Sequence, residues 1–281
     1  MAVVVLGLAS AISWGAGDFG GGTLSRRAPL FSIVGLSQFT GIFAALALAV
    51  ALREPLPTAP DVAWAGVAGI TGMIGISSLY RGLAVGRMGV VAPTTGLLAA
   101  VIPVLFGFMV QGLPAPASLA GIAGALLAVA LVTRAPGVGA DRPSGIEWAL
   151  VAGIAIAGFN ISIGQLSGAS TFGLLVIIRA VQAVLIVVLV VAWRQPWRLP
   201  REMLPRVVLV GLLDMTGNAA FILATQAGPL AIAVVLSSLY PVVTVVLAIV
   251  ILREHLSRSH VAGIVLTAVS IALVTAGSVG S

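Results

Sequence analysis

Residues 121–133 read GIAGALLAVALVT, and residues 263–275 read GIVLTAVSIALVT. Both are continuous apolar runs without a charge, set inside longer apolar stretches. A helix needs about 20 such residues to cross a bilayer. Barrel strands alternate apolar and polar residues instead, and a helix satisfies its own backbone polar groups in hydrocarbon. The pair of stretches therefore points to membrane-spanning helices, and to their duplication.

The correspondence extends outward from that pair. VALREPLP at 50–57 aligns with VAWRQPWR at 191–198, Leu24-Ser25 with Leu166-Ser167, and Pro103 with Pro241. The matches fall in one order along the chain, which coincidence in apolar sequence rarely produces. They set Asp18 opposite Asn160 and Gln38 opposite Arg179. Spans are predicted at about 2–22, 30–52, 62–83, 90–111, 117–132, 146–166, 172–193, 207–227, 231–252 and 259–277. Turn chemistry marks the breaks at Arg53-Glu54-Pro55-Leu56-Pro57, Pro114-Ala115-Pro116, Gln195-Pro196 and Gly228-Pro229. The expected fold is an all-α integral membrane protein with ten transmembrane helices in two five-helix repeats. The first repeat covers 1–132, a linker TRAPGVGADRPSG covers 133–145, and the second repeat covers 146–281.

A repeat with an odd number of spans enters the membrane from opposite sides in its two copies, so the repeats are inverted. The arginines agree. One face carries Arg26, Arg27, Arg81, Arg87, Arg134, Arg142, Arg194, Arg198, Arg201, Arg206, Arg253 and Arg258. The other carries Arg53, beside Glu54 and Asp61. Charge follows the membrane face and not the position within the repeat. The positive-inside rule puts the arginine-rich loops in the cytoplasm and both termini outside.

Composition excludes other classes. The chain has 281 residues, 60% hydrophobic and 8% charged, with mean hydropathy +1.20. Soluble domains are about 25% charged. All 14 basic residues are arginine, giving a net charge of +6. They sit singly or in small groups between apolar runs, so no nucleic-acid surface is expected. There is no cysteine, so disulfides and thiolate metal sites are excluded. His255 and His260 flank a loop with few acids near them, and no metal or cofactor is expected. The first residues, MAVVVLGLASA, have no basic leader and run on to Gly22, as a first spanning helix would.

At this level of detail the chain resembles the ten-helix EamA-type transporters of the drug/metabolite transporter superfamily. The resemblance rests on Trp14-Gly15, the Gly89…Pro103 and Gly228…Tyr240-Pro241 stretches, and Leu252-Arg253-Glu254-His255-Leu256. The last is similar to the family's L-G-E-x-L turn, followed by a helix that contains Gly263. The first copy departs from it, since Gln111-Gly112-Leu113-Pro114 has no acid. The family arginine early in helices two and seven corresponds to Arg179, with Gln38 in its place in the first copy. The resemblance implies a secondary transporter, often an exporter of amino acids, other metabolites or drugs. It implies a central cavity between helices one to four and six to nine, with five and ten outside, and termini in the cytoplasm. The last point conflicts with the arginine distribution, which is followed here as a property of this chain.

Ionisable residues inside spans are costly and mark functional sites or polar clamps. Asp18, Arg179 and Asp214 are the charges well inside predicted helices. Asp18 is the candidate proton- or cation-responsive group, and Arg179 the candidate anchor for a substrate carboxylate. The bland alternative for each, Asp214 included, is an interhelical clamp. By helix position, Gln38 shares the depth of Asp18, and Asn160 that of Arg179. Trp14, Tyr80, Ser237, Ser238 and Tyr240 are candidate cavity contacts. Gly66, Gly69, Gly72 and Gly75 recur every three residues and suit close helix packing, while Pro93, Pro103 and Pro241 are expected to bend helices four and nine. The expected partners are the lipid bilayer of a bacterial inner or plasma membrane and a small-molecule substrate, with protons as the candidate coupling ion and a monomer or weak oligomer as the state. A passive facilitator is the alternative, and a membrane-embedded enzyme or lipid-handling protein a more distant one. Clustered catalytic acids, a serine–histidine pair and a phosphate loop are missing from the sequence.

Overall fold

The computed structural model describes residues 2–111, 116–134, 143–167, 170–192, 194, 196–227, 236–252 and 258–279. Within them the helices are α1 (Ala2–Leu24), α2 (Leu30–Ala51), α3 (Ala59–Val85), α4 (Met88–Gln111), α5 (Pro116–Arg134), α6 (Ile146–Ile163), α7 (Phe172–Ala192), α8 (Leu204–Ala227), α9 (Tyr240–Leu252) and α10 (Arg258–Val279). A single 3₁₀ turn, Arg201–Met203, leads into α8. No strand occurs among the described residues. By length and composition, α1, α2, α3, α6, α7 and the helical stretch Arg201–Ala227 are each sufficient to cross a membrane, and shorter apolar helices cover Met88–Pro103, Tyr240–Leu252 and Val261–Ser270.

Local chemistry explains the boundaries. Thr58 caps α3 by a short reciprocal motif: its Oγ1 donates to Asp61 Oδ2 at 2.9 Å and accepts from the Asp61 N–H at 3.4 Å. Pro29 precedes α2 with extended backbone. Pro241 stands in the first turn of α9, where its missing N–H leaves no bond unmade. Leu236 and Ser237 are helical, Ser238 and Leu239 form a turn, and α9 follows at Tyr240. Pro93 and Pro103 are inside α4 as expected.

The expected turns at Pro114-Ala115 and Gly228-Pro229, most of the 133–145 linker, and the Arg253–Leu256 motif with His255 lie outside the described residues, as do Arg142 and the start of the ninth predicted span.

Packing arranges the helices around α1, α2, α3, α7 and α8. Helix α1 lies on α8, α9 and α3. Helix α2 lies on α7 and α8, and α3 on α6 and α7. Helix α4 packs on α6, α9 and α10, and α5 packs on α10 and α4. Apolar side chains such as Leu46, Val50, Val184, Val188, Val191 and Val250 are exposed on the outside of the bundle. A water-soluble fold of this size could not tolerate so many of them clustered on its helices, whereas lipid accepts them.

Two loops fasten the bundle at opposite ends. Glu54 Oε2, just after α2, accepts from Ser170 Oγ at 3.0 Å and from the Phe172 and Gly173 N–H groups at 2.8 and 3.0 Å. It thereby caps the N-terminus of α7 from another part of the chain. Asp61 accepts from Ser167 N–H at 2.9 Å and Ser167 Oγ at 2.6 Å. At the other end the segment between α7 and α8 docks mainly by apolar contact. Ser32 Oγ donates to Pro196 C=O at 3.2 Å, and a Cβ on Gly35 would meet the Trp197 ring at 2.8 Å.

Candidate functional site

The centre of the bundle is polar. Arg179 on α7 is buried at 3% exposure. Its Nη1 pairs with Asp214 Oδ2 on α8 at 2.5 Å, donates to Gln38 Oε1 on α2, and reaches Gln182 Oε1 one turn along α7 at 3.3 Å. Asn218, one turn beyond Asp214 on α8, donates to Asp214 Oδ1 at 3.2 Å and to the Asp214 C=O at 2.7 Å. Three helices are thus joined by one guanidinium. Its Nε has no partner among the described residues, nor has the Gln38 amide nitrogen.

The depths estimated from helix position need correcting here. They put Gln38 at the depth of Asp18 and Arg179 at that of Asn160, and the predicted 207–227 span leaves Asp214 about 10 Å from the start of its helix. In the structure Gln38, Arg179 and Asp214 meet near the middle. The 3₁₀ turn starts the eighth span at Arg201, which moves Asp214 deeper, about 15 Å from the start of α8 at Leu204. Arg179 lies about 10 Å from the start of α7, and its long side chain covers the small remaining offset.

Asp18 stands apart from this pair. It is 7% exposed on α1, about 9 Å from the end of the helix at Leu24. No hydrogen bond or ion pair reaches its carboxylate among the described residues. Its charged neighbour is Asp214, whose own charge Arg179 takes up. Tyr80 and Tyr240 are also within electrostatic reach of Asp18. The Tyr80 hydroxyl lies 3.5 Å from the Gly17 C=O, a long hydrogen bond, and its ring occupies the space where a Cβ on Gly21 would be, 2.1 Å away. One turn before Asp18, Trp14 packs on Phe221 at 5.4 Å between ring centroids and edge-on to Tyr240 at 6.1 Å. A Cβ on Gly217 would meet the Trp14 ring at 2.4 Å. The Tyr240 hydroxyl is buried without a partner among the described residues.

The remaining candidates spread outward. Asn160 on α6 donates to the Ala99 C=O on α4 at 3.1 Å. Ser237 is buried and Ser238 half-buried in the turn that leads into Tyr240. On α3, Gly69, Gly72 and Gly75 each allow close approach of α7 or α6, through Val181, Gln182 and Ile156. Gly66 does not: a Cβ there would meet nothing within 4 Å. The sequence reading missed Gln182, Asn218 and Phe221. The first two carried a signal, since they stand three and four residues from Arg179 and Asp214, the spacing of neighbours on one helix face.

Comparison with known proteins gives the class. Residues 143–276 match the EamA-like transporter family. That family is part of the drug/metabolite transporter superfamily. A solved structure described as "Crystal structure of protein" superposes with a TM-score of 0.64 at 18% identity, over 96% of this chain and 95% of that one. At that identity it speaks for the fold alone, and it does so for the whole chain. No curated protein matches in sequence. This EamA-type chain is accordingly a multi-pass membrane protein of a transporter family.

Proposed function

We propose that the chain is a secondary transporter with ten spans in two inverted five-helix halves, exporting small metabolites or drugs by alternating access around the Asp18–Arg179–Asp214 centre. The halves are 1–132 and 146–281, joined by the 133–145 linker. The observation that carries this reading is the meeting of Gln38 and Arg179. The repeat matches these two residues, and residues matched by a two-fold operation touch each other only beside its axis. The helix partners support the same relation. Exchanging α1–α5 with α6–α10 turns the α1–α8 contact into α6–α3, α4–α6 into α9–α1, and α3–α7 into α8–α2, all of which occur. The α2–α7, α4–α9 and α5–α10 contacts return to themselves. Transporters built this way bind substrate near the midplane, between the repeats, and rock one half against the other. Asp18 is the carboxylate without a fixed partner, and so the one placed to exchange a proton.

The test begins with a strain expressing the protein, screened for growth on toxic amino acids, analogues and cationic drugs. The solute so found is then followed in proteoliposomes with and without a pH gradient. Gradient-dependent flux in the wild type and its loss in Asp18→Asn are expected. Equal flux with and without the gradient identifies a facilitator. Absence of flux for every solute in correctly inserted protein refutes the transport reading.

A further inference from the structure

We propose that the turns after α2 and α7 are a matched pair of gates, one at each mouth of the path between the halves. The turn at Arg53 and Glu54 holds the arginine-poor mouth by charge. The turn at Arg194, with Pro196 and Trp197 after it, holds the arginine-rich mouth by apolar contact. The proposal rests on the reading of the chain as a transporter of two inverted halves that opens alternately to its two sides.

Backbone geometry is the first observation. Arg53 has φ 52° and Arg194 φ 50°, and among the described residues these are the non-glycine positions with positive φ. Left-handed backbone is costly for a residue with a side chain, and it persists where the surrounding structure enforces it. The repeat matches the two arginines, since VALREPLP at 50–57 aligns with VAWRQPWR at 191–198. The same turn closes both helices. The Arg53 N–H donates to the Val50 C=O at 3.1 Å, and the Arg194 N–H to the Val191 C=O at 3.3 Å. After α2 the Glu54 N–H also donates to the Ala49 C=O at 3.0 Å, which completes a helix-ending motif commonly built on glycine.

The second observation is what each turn delivers. Glu54 reaches the start of α7, where its Oε2 accepts from Ser170 Oγ and from the Phe172 and Gly173 N–H groups. Pro196 and Trp197 reach the start of α2. There the Pro196 C=O accepts from Ser32 Oγ, and the Trp197 ring lies over Gly35 beside Ile186. The alignment that sets Arg53 opposite Arg194 also sets Phe31-Ser32 opposite Phe172-Gly173. The two contacts therefore correspond, and their chemistry differs. The first is a carboxylate on two N–H groups at a helix N-terminus. The second is one neutral hydrogen bond with apolar cover. Helices α2 and α7 meet at Gln38 and Arg179, between the two turns, so either mouth can part while the middle stays joined. A turn from one half seated on a helix start of the other must let go when the halves rock apart on its side.

The test is labelling of the purified full chain in detergent with N-ethylmaleimide. The chain has no cysteine. Leu174→Cys and Ile186→Cys put one reporter near each mouth, on one helix and about 18 Å apart along it. Both native side chains are buried. Glu54→Gln keeps the size of the side chain and removes its charge. It is expected to quicken labelling at the Leu174 position by about fivefold, the scale on which charged and neutral hydrogen bonds differ. Labelling at the Ile186 position is expected to stay unchanged or slow down. Trp197→Ala is expected to act the other way, faster at the Ile186 position and unchanged or slower at the Leu174 position. Should one variant fold poorly, the other reads the same relation from the opposite mouth.

Quickening at both positions in either variant means general loosening of the bundle and overturns the proposal. So does unchanged labelling at the position that the altered turn covers. The transport reading is decided separately, by solute flux in proteoliposomes. Flux through a Glu54→Gln protein whose two reporters respond together would remove the gates and keep the transporter.

Discussion

Gly21 and Gly66 are the same residue type in spanning helices, and their surroundings are opposite. Gly21 leaves room for the Tyr80 ring, which a Cβ would overlap at 2.1 Å, and Gly66 faces nothing within 4 Å. Gly21→Ala is expected to destabilise the protein by about 1–3 kcal/mol, the range for overpacking a filled interior. Gly66→Ala is expected to be neutral or slightly stabilising, since alanine is the better helix former in water. Thermal unfolding of the two variants in one detergent checks both. The buried ion pair makes a second residue-level prediction. Arg179→Met leaves Asp214 charged and unpaired, at an expected cost of about 3–5 kcal/mol, and adding Asp214→Leu is expected to recover most of it. A double-mutant cycle of unfolding midpoints measures this, and simple additivity of the two losses would contradict the pairing. Sequence reading finds these residues because charge inside an apolar run is conspicuous. It cannot pair them, because a linear pattern gives the depth of a residue only through helix ends, and the early start of the eighth span at Arg201 shifts that estimate.

At the scale of elements, the boundaries follow proline, glycine and charge, and most were readable. The latch made by Glu54 and Asp61 was not. Both acids look like ordinary loop charges beside Arg53 until the fold brings Ser167, Ser170, Phe172 and Gly173 to them. Their role depends on tertiary contact between chain positions over a hundred residues apart, and no local signal encodes it. Glu54 accepts from two N–H groups at the start of α7 and from Ser170. Glu54→Ala leaves all three donors without their acceptor, so α7 is expected to lose about 1–2 kcal/mol of capping and dipole stabilisation. The chain has no cysteine, so a single cysteine reports directly. Thr171 is buried beside this cap. Maleimide labelling of Thr171→Cys is expected to be slow, and to quicken when Glu54→Ala is added. Unchanged labelling would show that the latch does not hold this end closed.

For the whole molecule, the orientation in the membrane is where two general expectations conflict. The family resemblance implies termini in the cytoplasm. The arginines of the sequence point the other way, since the predicted spans assign twelve to the face of the loop between α7 and α8 and one, Arg53, to the face of the loop between α2 and α3. Short loops rich in arginine stay on the cytoplasmic side during insertion, and the proposed inverted pair of halves would fit the bilayer either way up. The latch adds to the asymmetry. The arginine-poor end is fastened by carboxylates and backbone N–H groups, and the arginine-rich end by Trp197 and neighbouring apolar groups. The expected arrangement therefore has Leu56, 92% exposed, outside the cell, and Trp197 in the cytoplasm. A membrane-impermeant maleimide applied to intact cells is expected to label Leu56→Cys and spare Arg198→Cys, with the labelling reversed in inside-out vesicles. A reporter fused to the C-terminus and active only in the cytoplasm is expected to stay dark. Labelling of Arg198→Cys in intact cells, together with an active reporter, would turn the molecule over and leave the two halves, the ion pair and the lone carboxylate as they are.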